Sequence, residues 1–190
     1  MKVVSKILLA TTALAAISAC SSEMSEDEQA VYDARKAKEA AVATNMMAVI
    51  QHNPDLSTAN MAVGLSGIAE ELGQEGPFTA FVGTNEAFNK LGMDELNALL
   101  KPEKKEELAN ILKYHVMIAN MDSAAIAKAI KDGGGTATLK TVQGGSLKAM
   151  MDGDKIVLED TKGNRATIIQ ADKKADNGIV HIVDTILIPE

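Results

Sequence analysis

Few residues of this chain have both the type and the spacing that chemistry requires, and a single cysteine is the first of them. Cys20 is the only cysteine among 190 residues, so no disulfide can form within the chain. It ends a short apolar run that begins at Ile7, and Lys2 and Lys6 lie before that run. A basic start, a short apolar stretch and a polar continuation are typical of a signal peptide rather than of a membrane-spanning helix.

The residues around Cys20 predict that its thiol carries lipid. Ile17-Ser18-Ala19-Cys20 resembles the lipobox of bacterial lipoproteins, in which the cysteine becomes the acylated first residue. A diacylglycerol together with an amide-linked acyl chain such as palmitate would anchor the protein stably, since a single lipid chain binds a membrane only reversibly. Ser21 resembles the residue found in lipoproteins sent to the outer membrane. The alternative is an ordinary signal peptide with an incidental cysteine.

We therefore predict a lipoprotein signal peptide over residues 1–19 and a lipidation site at Cys20. The protein is then extracytoplasmic and lipid-anchored in the cell envelope, at the outer membrane or facing the periplasm. Residues 20–44 would form the tether. Its first part, Ser21 to Glu28, is acidic and polar, and Gln29 to Thr44 is rich in Ala, Lys and Glu, which favours a solvated helix.

Three histidines are the other candidates for chemistry. His52 precedes Asn53-Pro54 at a predicted helix end, where a surface position is expected. His115 ends an amphipathic helix and His181 lies in an apolar strand, so both could be metal ligands. Neither has a ligand partner four residues on or a cysteine nearby. The favoured alternative is that each ring hydrogen-bonds the backbone or a carboxylate and fixes the packing.

The remaining motifs are incomplete. Gly64-Leu65-Ser66-Gly67 has Ile68 where a nucleophile elbow needs its second glycine. Gly133-Gly134-Gly135 lacks the Lys-Ser/Thr of a phosphate loop, and Asp152-Gly153-Asp154 lacks calcium-loop spacing. Ten scattered methionines are typical of core filling rather than of a copper site. We predict no cofactor, no metal and no catalytic residue.

The amino-acid composition and net charge limit the classes of partner that we expect. The hydrophobic fraction of 46% and the charged fraction of 24% are those of a globular protein with one core. The net charge is −7 and no Lys/Arg block occurs, which argues against a nucleic-acid partner. We expect a monomer whose partners are the membrane, through the lipid, and a surface protein or glycan.

The elements that must position these residues are organised around residues 76–88, which hold all three phenylalanines. Alternating residues there predict a strand with Phe81 on one face and Phe78 on the other. Thr84 is a good N-cap for the short helix that follows.

Helical periodicity dominates from Asn45 to Lys131, and a period of two takes over at Thr136. In one helix Met61, Ala62 and Leu65 are the predicted apolar residues. Later, glycine-containing turns separate short alternating runs, which favours antiparallel hairpins. The chain therefore predicts an α+β domain over residues 45–190.

Three segments carry a family resemblance. Residues 77–88 resemble the first signature of the fasciclin (FAS1) domain, and Tyr114-His115 and residues 177–184 are similar to its later marks. Gly83 stands where the family usually has proline. The resemblance implies a single domain with helices packed on a wedge-shaped antiparallel β-sandwich.

The resemblance also implies adhesion or matrix binding, and the family's Tyr-His pair has been associated with receptor binding, which would fall on Tyr114 and His115. We expect binding rather than catalysis. One alternative is a carrier or sensor of a small apolar ligand, which requires a pocket on the order of several hundred Å³ between helices and sheet. A further alternative is a hydrolase, which requires Ser, His and a carboxylate within hydrogen-bond reach.

Overall fold

A computed structural model describes residues 45–189 of the chain. The predicted signal peptide, Cys20 and the predicted tether lie outside these residues. Within them the helices are α1 (Met46–Gln51), α2 (Ser57–Ser66), α3 (Ala69–Leu72), α4 (Asn85–Asn89), α5 (Met93–Leu99), α6 (Lys105–Tyr114) and α7 (Ser123–Asp132). Short 3-10 turns at Pro54–Leu56 and Pro102–Lys104 lead into α2 and α6.

The strands of the described region form one sheet. They are β1 (Phe78–Gly83), β2 (Val116–Met117), β3 (Thr136–Lys140), β4 (Ser146–Asp152), β5 (Lys155–Glu159), β6 (Arg165–Ala175) and β7 (Gly178–Val183). Their order across the sheet is β2-β1-β7-β6-β5-β4-β3. The two edges meet where the amide of Val142 donates to the carbonyl of Val116 at 2.7 Å, so the sheet is nearly closed.

The predicted α+β arrangement is confirmed, and the sheet is mixed rather than wholly antiparallel. β1 and β7 pair in parallel, with Thr79 opposite Ile179. Hairpins impose antiparallel pairing on neighbours in sequence, whereas a long connection allows parallel pairing. Strands β1 and β7 are separated by most of the domain, and no turn constrains them.

Two hydrophobic clusters lie on opposite faces of β1. Ala80 and Val82 pack with the helices, whereas Phe81 packs with α7 and the inner face of strands β3 to β6. Phe81 and Phe88 are buried, and Phe78 packs at the edge of the helical cluster. The predicted two-faced strand is therefore confirmed as the boundary between the two clusters.

Helix α2 buries Ala62 as predicted, but the prediction is wrong for Met61 and Leu65, which are exposed. Met61 is 53% exposed and Leu65 45% exposed. The buried side chains are instead the small ones, namely Ala59, Ala62, Val63 and Ser66. Small side chains allow α2 to pack closely on α1, α4 and α6, so close approach decided the orientation rather than side-chain size.

Strand β6 continues past Gln170, where the alternation of its sequence ends. Its pairing with β7 shifts register between Ile168 and Gln170 and again between Gln170 and Lys173. Asp172 lies in the second shift with a φ of 62°. A bulge carries the strand through this polar stretch and redirects its side chains.

Candidate functional site

The first signature caps two helices with adjacent residues. The Thr84 hydroxyl accepts a hydrogen bond from the amide of Ala87 at 3.1 Å, which caps α4 as predicted. The Asn85 carboxamide oxygen accepts from the Thr58 amide at 2.9 Å and from the Ser57 hydroxyl at 3.1 Å. Its nitrogen also donates to the carbonyl of Pro54 at 3.0 Å. The Thr-Asn pair thus joins the β1 corner to the start of α2.

The last signature has an equivalent residue in Asn177. Its side-chain oxygen accepts from the Met46 amide at 2.9 Å, and its nitrogen donates to the carbonyls of Leu72 and Gln74 at 2.7 and 3.0 Å. Its own carbonyl accepts from the Phe78 amide at 3.0 Å. Asn177 is buried and ties α1, the end of α3 and β1 to the start of β7.

Tyr114 and His115 lie in the interior. Tyr114 is 2% exposed, and its hydroxyl donates to the carbonyl of Ser146 at 2.9 Å. His115 is 4% exposed, its Nδ1 lies 2.8 Å from the Ile111 carbonyl, and its Nε2 accepts from the Leu187 amide at 3.1 Å. The pair therefore connects the end of α6 to β4 and to the C-terminal segment.

The surroundings of His115 favour the neutral ring. Burial lowers the pKa of His115 below its ordinary value, and this outweighs the Ile111 carbonyl and the charge of Asp160, which raise it. With Nδ1 donating to the carbonyl, Nε2 carries the lone pair that accepts from Leu187. Protonation would place a second N–H against the Leu187 amide.

His181 forms the same kind of bridge on the other face of the sheet. Its Nε2 donates to the Met121 carbonyl at 2.9 Å, and its Nδ1 accepts from the Asp172 amide at 3.3 Å. The ring stacks on Phe81 with centroids 5.5 Å apart. Both buried histidines thus bond backbone groups, which favours packing over metal binding. Within residues 45–189, no three His, Cys, Asp or Glu side chains are grouped to hold a metal ion.

Comparison with known proteins identifies the family. A family model described as "Fasciclin domain" matches residues 54–189. The chain belongs to the fasciclin domain family. It is 31% identical over 167 residues to protein sll1483 of Synechocystis, covering 88% of this chain and 84% of the relative.

Longer relatives contain the fasciclin domain as one part. The chain is 35% identical over 144 residues to transforming growth factor-beta-induced protein ig-h3 of Sus scrofa, which covers 76% of this chain but 19% of that protein. Among solved structures, a FAS1 domain pair from the insect cell adhesion molecule fasciclin I superposes with a TM-score of 0.54 at 24% identity. The match covers 68% of this chain and 43% of that one and shows the shared fold.

A serine, a carboxylate and a histidine meet where α7 of this fasciclin domain begins. Ser123 donates to the Asp172 carboxylate from its amide at 2.7 Å and from its hydroxyl at 2.5 Å. The hydroxyl proton is thus directed at the carboxylate, and both nitrogens of His181 are engaged by backbone groups. Ser123 thus has a carboxylate rather than a histidine beside its hydroxyl, which is not the order of a catalytic triad, and the cluster joins β6 to α7.

Asp172 remains ionised in this cluster. Partial burial alone would raise the pKa of Asp172, but the hydrogen bonds from Ser123 and the charge of Lys174 bring the pKa below its ordinary value. The carboxylate therefore caps α7 across the bulge of β6. No sequence signal located this contact, because it depends on the register shift.

Asp160 is a buried residue that the turn pattern could have indicated. Its carboxylate accepts from the amides of Lys162 and Asn164 at 2.9 and 2.8 Å and from the Asn164 side chain at 2.8 Å. An aspartate two residues before Lys-Gly-Asn is typical of a side-chain-stabilised turn. Its role is to form the β5–β6 hairpin.

The volumes of the cavities in the fasciclin domain distinguish the carrier role from the adhesion role. An apolar cavity in the helical core, lined by residues that include Phe88, His115 and Ile186, has a volume of about 30 Å³. That volume is far below the size of a site for an apolar ligand. Two larger spaces, of about 670 and 430 Å³, are open polar surface grooves near Asn177 and Asp184. No helix in residues 45–189 has both the length and the hydropathy to cross a bilayer.

Proposed function

We propose that this protein is a lipid-anchored, extracytoplasmic fasciclin domain that mediates cell adhesion or cell-surface binding without catalysis. The observation that carries the proposal is how the buried polar side chains are used. Within residues 45–189, no buried side-chain nitrogen or oxygen lacks a hydrogen-bond partner. The polar residues of the signatures hold the fold together, so recognition falls to the surface of the domain.

The similarity to an insect cell adhesion molecule supports this function by analogy, since a shared fold does not by itself fix activity. In this proposal Tyr114 and His115 do not contact the partner. They contribute indirectly, by fixing the elements that form the surface of the domain. The carrier alternative is less well supported, because the apolar cavity of about 30 Å³ is far below ligand size.

Replacing Cys20 tests the anchor. We expect the wild-type mature chain to begin at Cys20, to carry the mass of a diacylglycerol and an amide-linked acyl chain, and to fractionate with membranes. Cys20→Ser should move the protein to the soluble fraction, because no thiol remains to be acylated. Ser21→Ala is the matched control and should keep the acyl mass. Recovery of wild-type protein with an unmodified Cys20 would contradict the anchor.

Crosslinking on intact envelopes tests the binding role. A photoreactive group placed at Met93 or Ile118, which are 62% and 71% exposed, samples two surface sites without disturbing the core. Adhesion predicts a defined protein or glycan adduct that excess unlabelled domain displaces. Carriage predicts instead a small molecule that co-purifies with the unlabelled protein, and that result would replace adhesion with the alternative.

A further inference from the structure

The alternation of hydrogen-bonded and non-hydrogen-bonded residues along β3 shows which of its backbone groups face away from the sheet. β3 is last in the strand order, and β4 is its one neighbour among the described strands. The Thr141 amide donates to Gly145 at 3.0 Å, and Leu139 pairs with Leu147 two positions further into the hairpin. Bonded pairs alternate along an antiparallel ladder. Leu139 therefore directs its N–H and C=O toward β4, and Thr138 directs its own outward.

The same alternation assigns Thr136 and Lys140 to the outer edge. The next outward amide, that of Val142, donates to the carbonyl of Val116 in β2. This bond independently confirms that alternate residues from Thr136 direct their amides away from β4. Among residues 45–189, no hydrogen bond joins the outward backbone groups of Thr136, Thr138 and Lys140 to another element. The side chains of all three are exposed. The two sheet edges thus meet at Val142. The Thr136 carbonyl packs against Gly133, so within residues 45–189 the edge is open at Thr138 and Lys140.

The surface beside this edge is basic. Lys140 is on β3 itself, Lys148 lies opposite Thr138 on β4, and Lys131 is in the last turn of α7; all three are exposed. Two acids lie nearby, and each is paired with another cation: Asp132 with Lys128 at 2.5 Å, and Glu159, which is opposite Lys148 on β5, with Arg165 at 2.9 Å. The chain as a whole has a net charge of −7, so this edge differs in sign from the rest of the protein.

We propose that the outer edge of β3 binds an extended acidic segment of a partner protein as an added strand. The segment's backbone would pair with Thr138 and Lys140, and its alternate acidic side chains would lie over Lys140 and Lys148. β2 limits the added strand at one end and the Gly133–Gly135 turn limits it at the other. The inference rests on the proposed binding role and names the site and the chemistry of the partner.

Charge distinguishes this partner from a second copy of the chain. Pairing β3 with β3 of another molecule would bring a second Lys131 and a second Lys140 to an edge that is already basic. Such repulsion disfavours self-association. An acidic strand instead gains both the backbone pairing and the opposite charge.

Thr138→Pro is a variant that should affect pairing at the outer edge of β3 without affecting its pairing with β4. Proline removes one N–H, and here the lost N–H is the outward one, so the β3–β4 ladder keeps its bonds. Thr138→Ala is the matched control, because it removes the same hydroxyl but keeps the amide. Lys140→Glu changes the charge and leaves every backbone group in place.

The test is a titration of the full-length mature protein in detergent micelles with two labelled peptides, acetyl-Glu-Val-Glu-Val-Glu-amide and its Lys-Val-Lys-Val-Lys counterpart. We expect the acidic peptide to bind wild type and Thr138→Ala and to perturb the amide NMR signals of residues 136–140. Thr138→Pro should weaken binding about tenfold, the size of losing one or two hydrogen bonds. Lys140→Glu should reverse the preference between the peptides.

Equal binding of the acidic peptide to wild type, Thr138→Pro and Lys140→Glu would overturn the proposal, as would perturbed signals elsewhere. Concentration-dependent dimerisation that Thr138→Pro abolishes would assign the edge to a second copy instead. If Thr138→Pro fails to fold, Lys140→Glu and the signal map still decide. The titration requires no cells, so absent peptide binding with intact cell attachment refutes this inference alone. Peptide binding without cell attachment refutes the proposed adhesion.

Discussion

At the scale of single residues, His115 combines a buried ring with one donated and one accepted hydrogen bond. Only the neutral ring can both donate to Ile111 and accept from Leu187. Burial lowers the pKa of His115 in the folded state below its ordinary value of 6.5, whereas the unfolded chain keeps a value near it. The unfolded state thus binds the proton more readily, and folding stability depends on pH.

The sign of this dependence follows from the lowered pKa. We expect the free energy of unfolding to be greatest above about pH 6.5 and to fall as the pH drops below it. His115→Gln should be less stable at pH 7.5 but should lose less stability on acidification. Urea denaturation at pH 7.5, 6.5 and 5.5 measures both effects. His52→Gln, which removes an exposed imidazole, is the control, and an identical slope in His115→Gln and wild type would contradict the role of the ring.

Tyr114 gives a second prediction, because its hydroxyl and its ring are both buried. Tyr114→Phe removes the hydrogen bond to Ser146 and should lower the free energy of unfolding by about 1 kcal/mol. Cell attachment by the folded variant should be unchanged, since the hydroxyl does not reach the surface. Thermal unfolding and an attachment assay on the same preparation test this. Lost attachment with unchanged stability would show that Tyr114 contacts the partner directly.

At the scale of elements, the Thr84-Asn85 pair holds the β1 corner to the helices on two sides. Asn85→Ala should lower the free energy of unfolding by about 1–2 kcal/mol, because it removes the cap of α2. Thr84→Ala, the matched variant one position earlier, should cost about 1 kcal/mol through α4 alone. Chemical denaturation of both measures the difference. A smaller loss for Asn85→Ala than for Thr84→Ala would contradict the inter-element role.

Gly83 ends β1 in close contact with the buried side chain of Ile186. A Cβ on Gly83 would lie 2.2 Å from Cδ1 of Ile186. Gly83→Ala should therefore destabilise the domain by about 1–3 kcal/mol through overpacking. The double variant Gly83→Ala/Ile186→Val, which removes Cδ1, should recover part of that loss. Denaturation of the single and double variants tests this, and additive losses would contradict the explanation.

The sequence predicted local structure better than long-range contacts. The alternation of β1 and the Thr84 cap are local, and the periodicity of residues 108–115 indicated the buried face of α6. The exposed Met61 and Leu65 were not predictable from apolarity, because helix packing selected the small face of α2. The partners of Asn85, Asn177 and Asp172 were also not predictable, since each contact joins segments far apart in sequence or depends on a strand bulge.

At the scale of the whole molecule, some residues of the fasciclin domain stabilise its fold and others form its exposed surface. Four polar signature residues, Tyr114, His115, Asn177 and His181, are buried and bond the backbone. The β3 edge and the exposed apolar side chains would be the surface offered to the proposed partner. The predicted anchor at Cys20 would hold that surface outside the cytoplasm. The proposed adhesion would therefore require both the predicted anchor and the folded domain.

The most direct test is attachment of cells to a surface coated with their own envelope proteins. It compares cells that carry the wild-type chain, Cys20→Ser or a chain that ends before Asn45. An anchored fasciclin domain that binds a surface partner predicts strong attachment for wild type and loss of attachment for both variants. Equal attachment by all three strains, with the wild-type protein present at the surface, would contradict adhesion as the function.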